Sequence, residues 1–237
     1  MAPPLLPLAA YATVSSGVLI YPMSRLIRAL FLACVALPTA GLAQRVAVLP
    51  LDEAVRDPEF FVFRARLQAA VARQDTTAIL RVIAPDILNG FGDDGGRDEF
   101  REQWGLAHPG RSHLWATLGF VLALGGRFLG DTAFSAPYVF EGTPGDGFET
   151  LAVLGGNVLV RARPSVRSAA IDTLSFEAVA RWRDGSAASA PGWEPVRTSK
   201  GRTGWVPAHY LRSPIDYRAG FVRRGGEWWL RTLVAGD

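Results

Sequence analysis

The sequence predicts an α+β protein, on three observations. Between residues 57 and 83, and again between 98 and 124, apolar residues recur at helical spacing. From Leu151 onward the pattern changes to short alternating runs separated by small residues. Two last alternating runs, 217–224 and 227–234, flank Gly225-Gly226 and read as a β-hairpin.

Each element has a local cause. Asp57 is placed to cap a first helix, with Pro58 in its first turn and Phe60, Phe63, Leu67, Ala70 and Val71 as its apolar stripe. Asp75 caps a second helix carrying Ile79, Leu80, Val82 and Ile83, and Pro85 is expected to end it. Residues 86–91 form a strand candidate, and Gly92, Gly95 and Gly96 mark a turn. Residues 98–106 read as a third helix through Phe100 and Trp104. Residues 114–124 read as a fourth, stopped by Gly125-Gly126. Residues 132–140 read as extended, with Pro137 at an edge or bulge. After a loop at 143–147, strand candidates fall at 151–154, 157–162, 170–174, 177–182, 193–198 and 203–207. Residues 184–192 form a loop of small residues.

This order gives a helical α+β domain over 46–147, a β unit over 151–212 and a hairpin over 215–237. The four helices need a covering layer, and the first domain has few strands to supply one. The economical arrangement returns the hairpin to the first domain, so that 151–212 is inserted. A sequential arrangement is the alternative.

A chain of 237 residues with 49% hydrophobic and 20% charged residues can bury one or two ordinary cores. Its formal charge is +3, but Arg25 and Arg28 lie in a segment with the three parts of an export signal. A basic start at 23–28 precedes an apolar run at 29–37 and small residues at 41–43. Residues 1–43 are therefore expected to be a signal peptide, with 1–22 an upstream extension. The expected location is the periplasm or the exterior, with membrane contact only through that segment. Without it the net charge falls by two, which makes a nucleic-acid partner a poor expectation, and no basic run carries interleaved aromatics. Lys200 is the only lysine, which reads as codon usage before it reads as an arginine-based site. Cys34, the only cysteine, lies within the apolar run, so the mature chain has no thiol for a disulfide, a nucleophile or a metal.

One signature is specific. Leu159-Val160-Arg161, Pro164-Ser165, Ile171 to Leu174, Gly192-Trp193 with Val196, and Gly201-Arg-Thr-Gly-Trp-Val206 follow in order. Their pattern resembles a bacterial SH3-like domain. That resemblance implies a small β-barrel used for binding. Val206-Pro207 and Tyr210-Leu211 are similar to the ending of eukaryotic SH3 domains, where a proline, a tyrosine and a mid-domain tryptophan line a peptide groove. By position these are Pro207, Tyr210 and Trp193, and Trp205 and Arg161 complete the candidate contacts. The sequence departs from the pattern at Arg163, at Phe176-Glu177 and in the long 184–192 loop. Each candidate also has a plainer reading. Trp193 and Trp205 would be core, Tyr210 would close the barrel, and Arg161 would pair on the surface with Glu177 or Asp172. The flanking regions resemble the cone-shaped α+β fold of the nuclear-transport-factor-two family more weakly. The helix at 114–124 departs from that pattern.

Other chemistry is sparse. Asp86, Asn89, Asp93 and Asp94 cluster around glycines but lack the regular ligand spacing of a calcium loop. Asp98 with Arg101 reads as helix surface, and Glu99 joins Asp93 and Asp94 only as an unmarked acid. His108 and His113 flank Pro109-Gly110 too irregularly for a zinc pair, and His209 belongs to the SH3-like ending. No cofactor, metal or catalytic constellation is expected. The expected function is an exported, non-enzymatic envelope protein that binds peptide or peptidoglycan. The alternative is a small-ligand or enzyme-like cone domain, with a pocket among Phe63, Phe91, Trp104 and Trp229 and the barrel as a targeting accessory.

Overall fold

The computed structural model describes residues 45–92, 95–183 and 190–236, which form a mixed α+β structure. The expected signal peptide and Cys34 lie outside the described residues, as do Asp93 and Asp94. None of the described helices is long and apolar enough to cross a membrane.

Helix α1 (Pro58–Ala72) begins where the Asp57 carboxylate accepts from the Glu59 and Phe60 N–H groups at 2.8 and 3.0 Å. Phe60, Leu67, Ala70 and Val71 are buried along its stripe. Arg64 is buried among them, which the spacing alone does not announce. Its guanidinium makes a two-pronged pair with Asp52 at 2.7 and 2.6 Å, so the charge enters the fold already partnered. Asp75 caps helix α2 (Thr76–Val82) through the Ala78 N–H at 2.9 Å.

Strand β1 (Ile83–Leu88) starts immediately after α2, earlier than expected. Pro85 therefore sits inside a strand and does not end a helix. The strand tolerates it because β1 is at the edge of its sheet. Helices α3 (Arg97–Gln103) and α4 (Leu114–Ala123) follow. Strand β2 (Arg127–Phe128) and strand β3 (Ala133–Ala136) precede a second departure. The expected extended run 132–140 stops at Ala136, and a one-turn helix α5 (Tyr138–Gly142) follows Pro137. Tyr138 and Val139 are buried there, a use of apolar residues that strand alternation does not predict.

The hairpin strands β11 (Arg218–Arg224) and β12 (Glu227–Val234) lie in the middle of the N-terminal sheet, ordered β1-β12-β11-β3-β2. Strand β12 runs parallel to β1, and the remaining pairs are antiparallel. Phe60 is the hub beneath this sheet, fully buried with ring centroids 4.3 Å from Phe134, 4.7 Å from Trp228 and 5.5 Å from both Phe128 and Phe221. Offset and edge-on contacts of this kind add to the burial energy of each ring.

The intervening chain forms a second sheet from β4 (Thr150–Val153), β5 (Val158–Arg161), β6 (Ala170–Leu174), β7 (Ala178–Arg181), β8 (Trp193–Arg197), β9 (Thr203–Pro207) and β10 (Leu211–Arg212). Their order is β10-β4-β7-β8-β9-β5-β6, with every pairing antiparallel. The described strands thus form an open sheet and not the closed barrel expected. One reason lies at β6, where side chains take up backbone polar groups. Arg202 donates to the Ile171 carbonyl, and the Asp172 carboxylate accepts from the Thr173 N–H. The core here is aliphatic: Leu151, Val153, Val158, Val160, Leu174, Val179, Val196 and Val206. Val48, Tyr138, Val139 and Ala152 form a third cluster, which packs helix α5 and the segment at Val48 against β4 of the second sheet. The segment before Val48 also pairs with the second sheet, through an Ala47–Glu177 bridge and an Arg45–Glu177 ion pair at 3.1 Å.

Candidate functional site

Alternation along β5 sets up the site. Val158 and Val160 are buried in the aliphatic core, which turns Leu159 and Arg161 outward. Trp193 opens β8 and Pro207 closes β9, and the two face each other in register. A short helical turn (Ala208–Tyr210) then places Tyr210 on the same side, with the His209 ring 4.1 Å from it. Gly204 allows β9 to close on β5, since a Cβ there would fall 2.7 Å from the Arg161 carbonyl oxygen.

The result is a groove of about 310 Å³. Arg161, Trp193, Pro207 and Tyr210 all line it, together with Asn157, Leu159, Val166 and His209. Trp205 does not. It sits in an interior strand between Pro195 and Arg161, only 9% exposed, where neighbours on both sides cover a large side chain. Arg161 does not pair with Glu177 or Asp172. Its Nη1 donates to the Ser168 carbonyl at 2.7 Å, holding the 162–169 loop at the groove edge. Glu177 is occupied by Arg45 and Asp172 by Lys200, at 3.1 and 2.7 Å. Leu159 and Val166 add exposed apolar surface, and Val166 is 71% exposed. Strand alternation marks Leu159 as outward. Nothing local marks Val166, because the loop fold brings it to the groove. Among the described residues the groove therefore offers apolar and aromatic walls, one guanidinium and one imidazole, with no carboxylate in its lining.

The remaining candidates scatter. Asp86 lies at the edge of the first sheet, bound to Arg224 at 2.9 and 3.1 Å and facing Arg231 at 3.4 Å. The hydrogen bond from Arg224 holds its carboxyl below the usual aspartate range. Burial pushes the Asp172 carboxyl up, but Lys200 and the Thr173 N–H outweigh it, and the net direction is down. Asn89 is buried, and its amide donates to the Gly96 carbonyl at 3.1 Å and to Glu99 at 2.9 Å. Among the described residues no group of three His, Cys, Asp or Glu is arranged to hold a metal. His108 is exposed, whereas the His113 ring packs 4.7 Å from Trp104.

The four aromatics expected around a cone pocket have different partners. Phe63 contacts Phe60 and Phe221, and Trp104 contacts Tyr217. Arg97 lies over Trp229, and Arg218 lies over Phe91. Only Phe63 reaches the apolar groove of about 500 Å³ between α1 and α2, whose one carboxylate, Glu59, is paired with Arg223. No family model matches the chain, and no curated protein matches it significantly.

Proposed function

We propose that the protein is an exported, non-catalytic envelope protein that binds peptide, including the peptide of peptidoglycan, through an SH3-like domain formed by the second sheet. The observation that carries this reading is the convergence of Arg161, Trp193, Pro207 and Tyr210 on one groove from three separated segments. Half-exposed aromatic rings beside a proline give large contact area at little conformational cost, the property expected of a peptide-binding wall. The basic and apolar pattern of residues 23–43 supports an extracytoplasmic partner. The helix-covered first sheet is read as a cone-like scaffold whose interior Phe60 and its neighbours fill.

Purified protein mixed with isolated peptidoglycan sacculi should co-sediment. A stem peptide should change Trp193 fluorescence on titration. Trp193→Ala and Tyr210→Ala should each weaken binding by more than about tenfold, as expected for aromatic anchors. Trp205→Phe should leave it near wild type. Failure of the wild-type protein to bind either sacculi or stem peptide overturns the proposal.

A further inference from the structure

A second recessed site lies on the outer face of the first sheet, away from the SH3-like groove. Its floor is a row of three small residues in register across three strands: Ser135 on β3, Gly220 on β11 and Thr232 on β12. Flanking side chains rise around this row and leave a hollow of about 250 Å³. That is the space of about eight liquid waters. Gly220 keeps the floor low, because a Cβ there would fall 2.5 Å from Thr232 Oγ1.

A β-bulge sets the chemistry of the rim. Gly220 pairs with Thr232 and Phe221 with Leu230, so Arg231 is the extra residue on β12. A bulge re-aims a side chain, and here Arg231 joins Thr232 in lining the hollow. Its Nη1 is buried and has no hydrogen-bond acceptor among the described residues. Its nearest carboxylate, Asp86, is shared with Arg224 and cannot neutralise both. Arg218 stands on the rim, its guanidinium carbon 4.4 Å from the Phe140 ring centre. Among the described residues Glu141 is the one carboxylate in the lining. Leu129, Phe140 and Val222 supply apolar wall.

We infer that this hollow binds a small carboxylate carried on an apolar body, with the anion beside Arg231 and the Ser135 and Thr232 hydroxyls, and the body against Phe140. An anion there lies beside a guanidinium whose carboxylate partner, Asp86, is shared with Arg224. The recess is smaller than a drug-sized pocket, which limits the ligand to a compact acid.

Benzoate is a suitable probe, with neutral benzamide as its control. Titration of the purified protein with benzoate should shift the amide resonances of Gly220 and Thr232 saturably, and benzamide should not. Arg231→Gln should weaken benzoate by at least about tenfold. Thr232→Val, which keeps the side-chain shape, should weaken it several-fold and serves should Arg231→Gln fail to fold. The inference is overturned by absence of a saturable shift at Gly220 and Thr232, by equal effects of benzoate and benzamide, or by shifts centred on the Trp193 groove. It is also overturned by unchanged benzoate affinity in folded Arg231→Gln or Thr232→Val protein.

Discussion

The two sheets use aromatic residues in opposite ways. Beneath the first, Phe60, Phe100, Phe134, Phe221, Trp104, Trp115 and Trp228 are buried in one cluster under the helices. The second sheet encloses only leucines and valines in its cluster, while Trp193 and Tyr210 stand partly in solvent. A helical layer over a sheet leaves a thick interior that rings can fill. The smaller second sheet has a core of branched aliphatics, and of its aromatics Trp205 is covered in an interior strand while Trp193 and Tyr210 stand at the groove. The same residue types therefore hold the fold together in one region and, at Trp193 and Tyr210, remain partly open to solvent in the other.

The sharpest way to break this contrast is Phe60→Ala. Removing the hub ring should cost about 3–5 kcal/mol of stability in urea unfolding, because the surrounding rings cannot collapse into the space. Val160→Ala in the second core should cost about 2 kcal/mol, the scale of one buried aliphatic side chain. Trp193→Ala should cost less than about 1 kcal/mol by the same measurement, although it removes the largest side chain of the groove. A Trp193 cost as large as that of Phe60 would erase the distinction between structural and contact aromatics.

The smallest expected effect is electrostatic. Asp86 in the first sheet and Asp172 in the second both titrate below the ordinary 3.8 of an aspartate. A depressed folded pKa stabilises the protein above the unfolded value, and that stability is lost as pH falls through the folded one. Stability should therefore drop below about pH 4. Lys200→Met should remove the Asp172 share of this acid dependence while leaving that of Asp86. The change should stay below about 1 kcal/mol, because Lys200 is half in water and the pair is screened. Acid titration monitored by circular dichroism separates the two.

The candidate groove was partly legible in the residues. Position along β5, β8 and β9 marked Arg161, Trp193 and Pro207, and the turn after Pro207 marked Tyr210. Trp205 looked equivalent on the same pattern, but burial depends on the strands beside it, which the pattern does not carry. Val166 and the Arg161–Ser168 contact arise from how the 162–169 loop folds back. The outer-face hollow was invisible in the chain, because Ser135 and Gly220 are 85 residues apart and meet only through strand register.

By itself the sequence determined what short-range forces decide. Asp57 and Asp75 start their helices through bonds reaching no more than three residues ahead. Alternation in 158–161 sorts core from surface within a single strand, and Gly225-Gly226 turns the chain back on itself. Tertiary structure decided where long-range pairing is the physical cause. It set the hairpin between β1 and β3, left the second sheet open at β6 and β10, and partnered buried Arg64 with Asp52. It also brought Asp86 to Arg224 across 138 residues of chain. Such contacts depend on which faces remain to be covered once the local elements exist, and no local pattern encodes that choice.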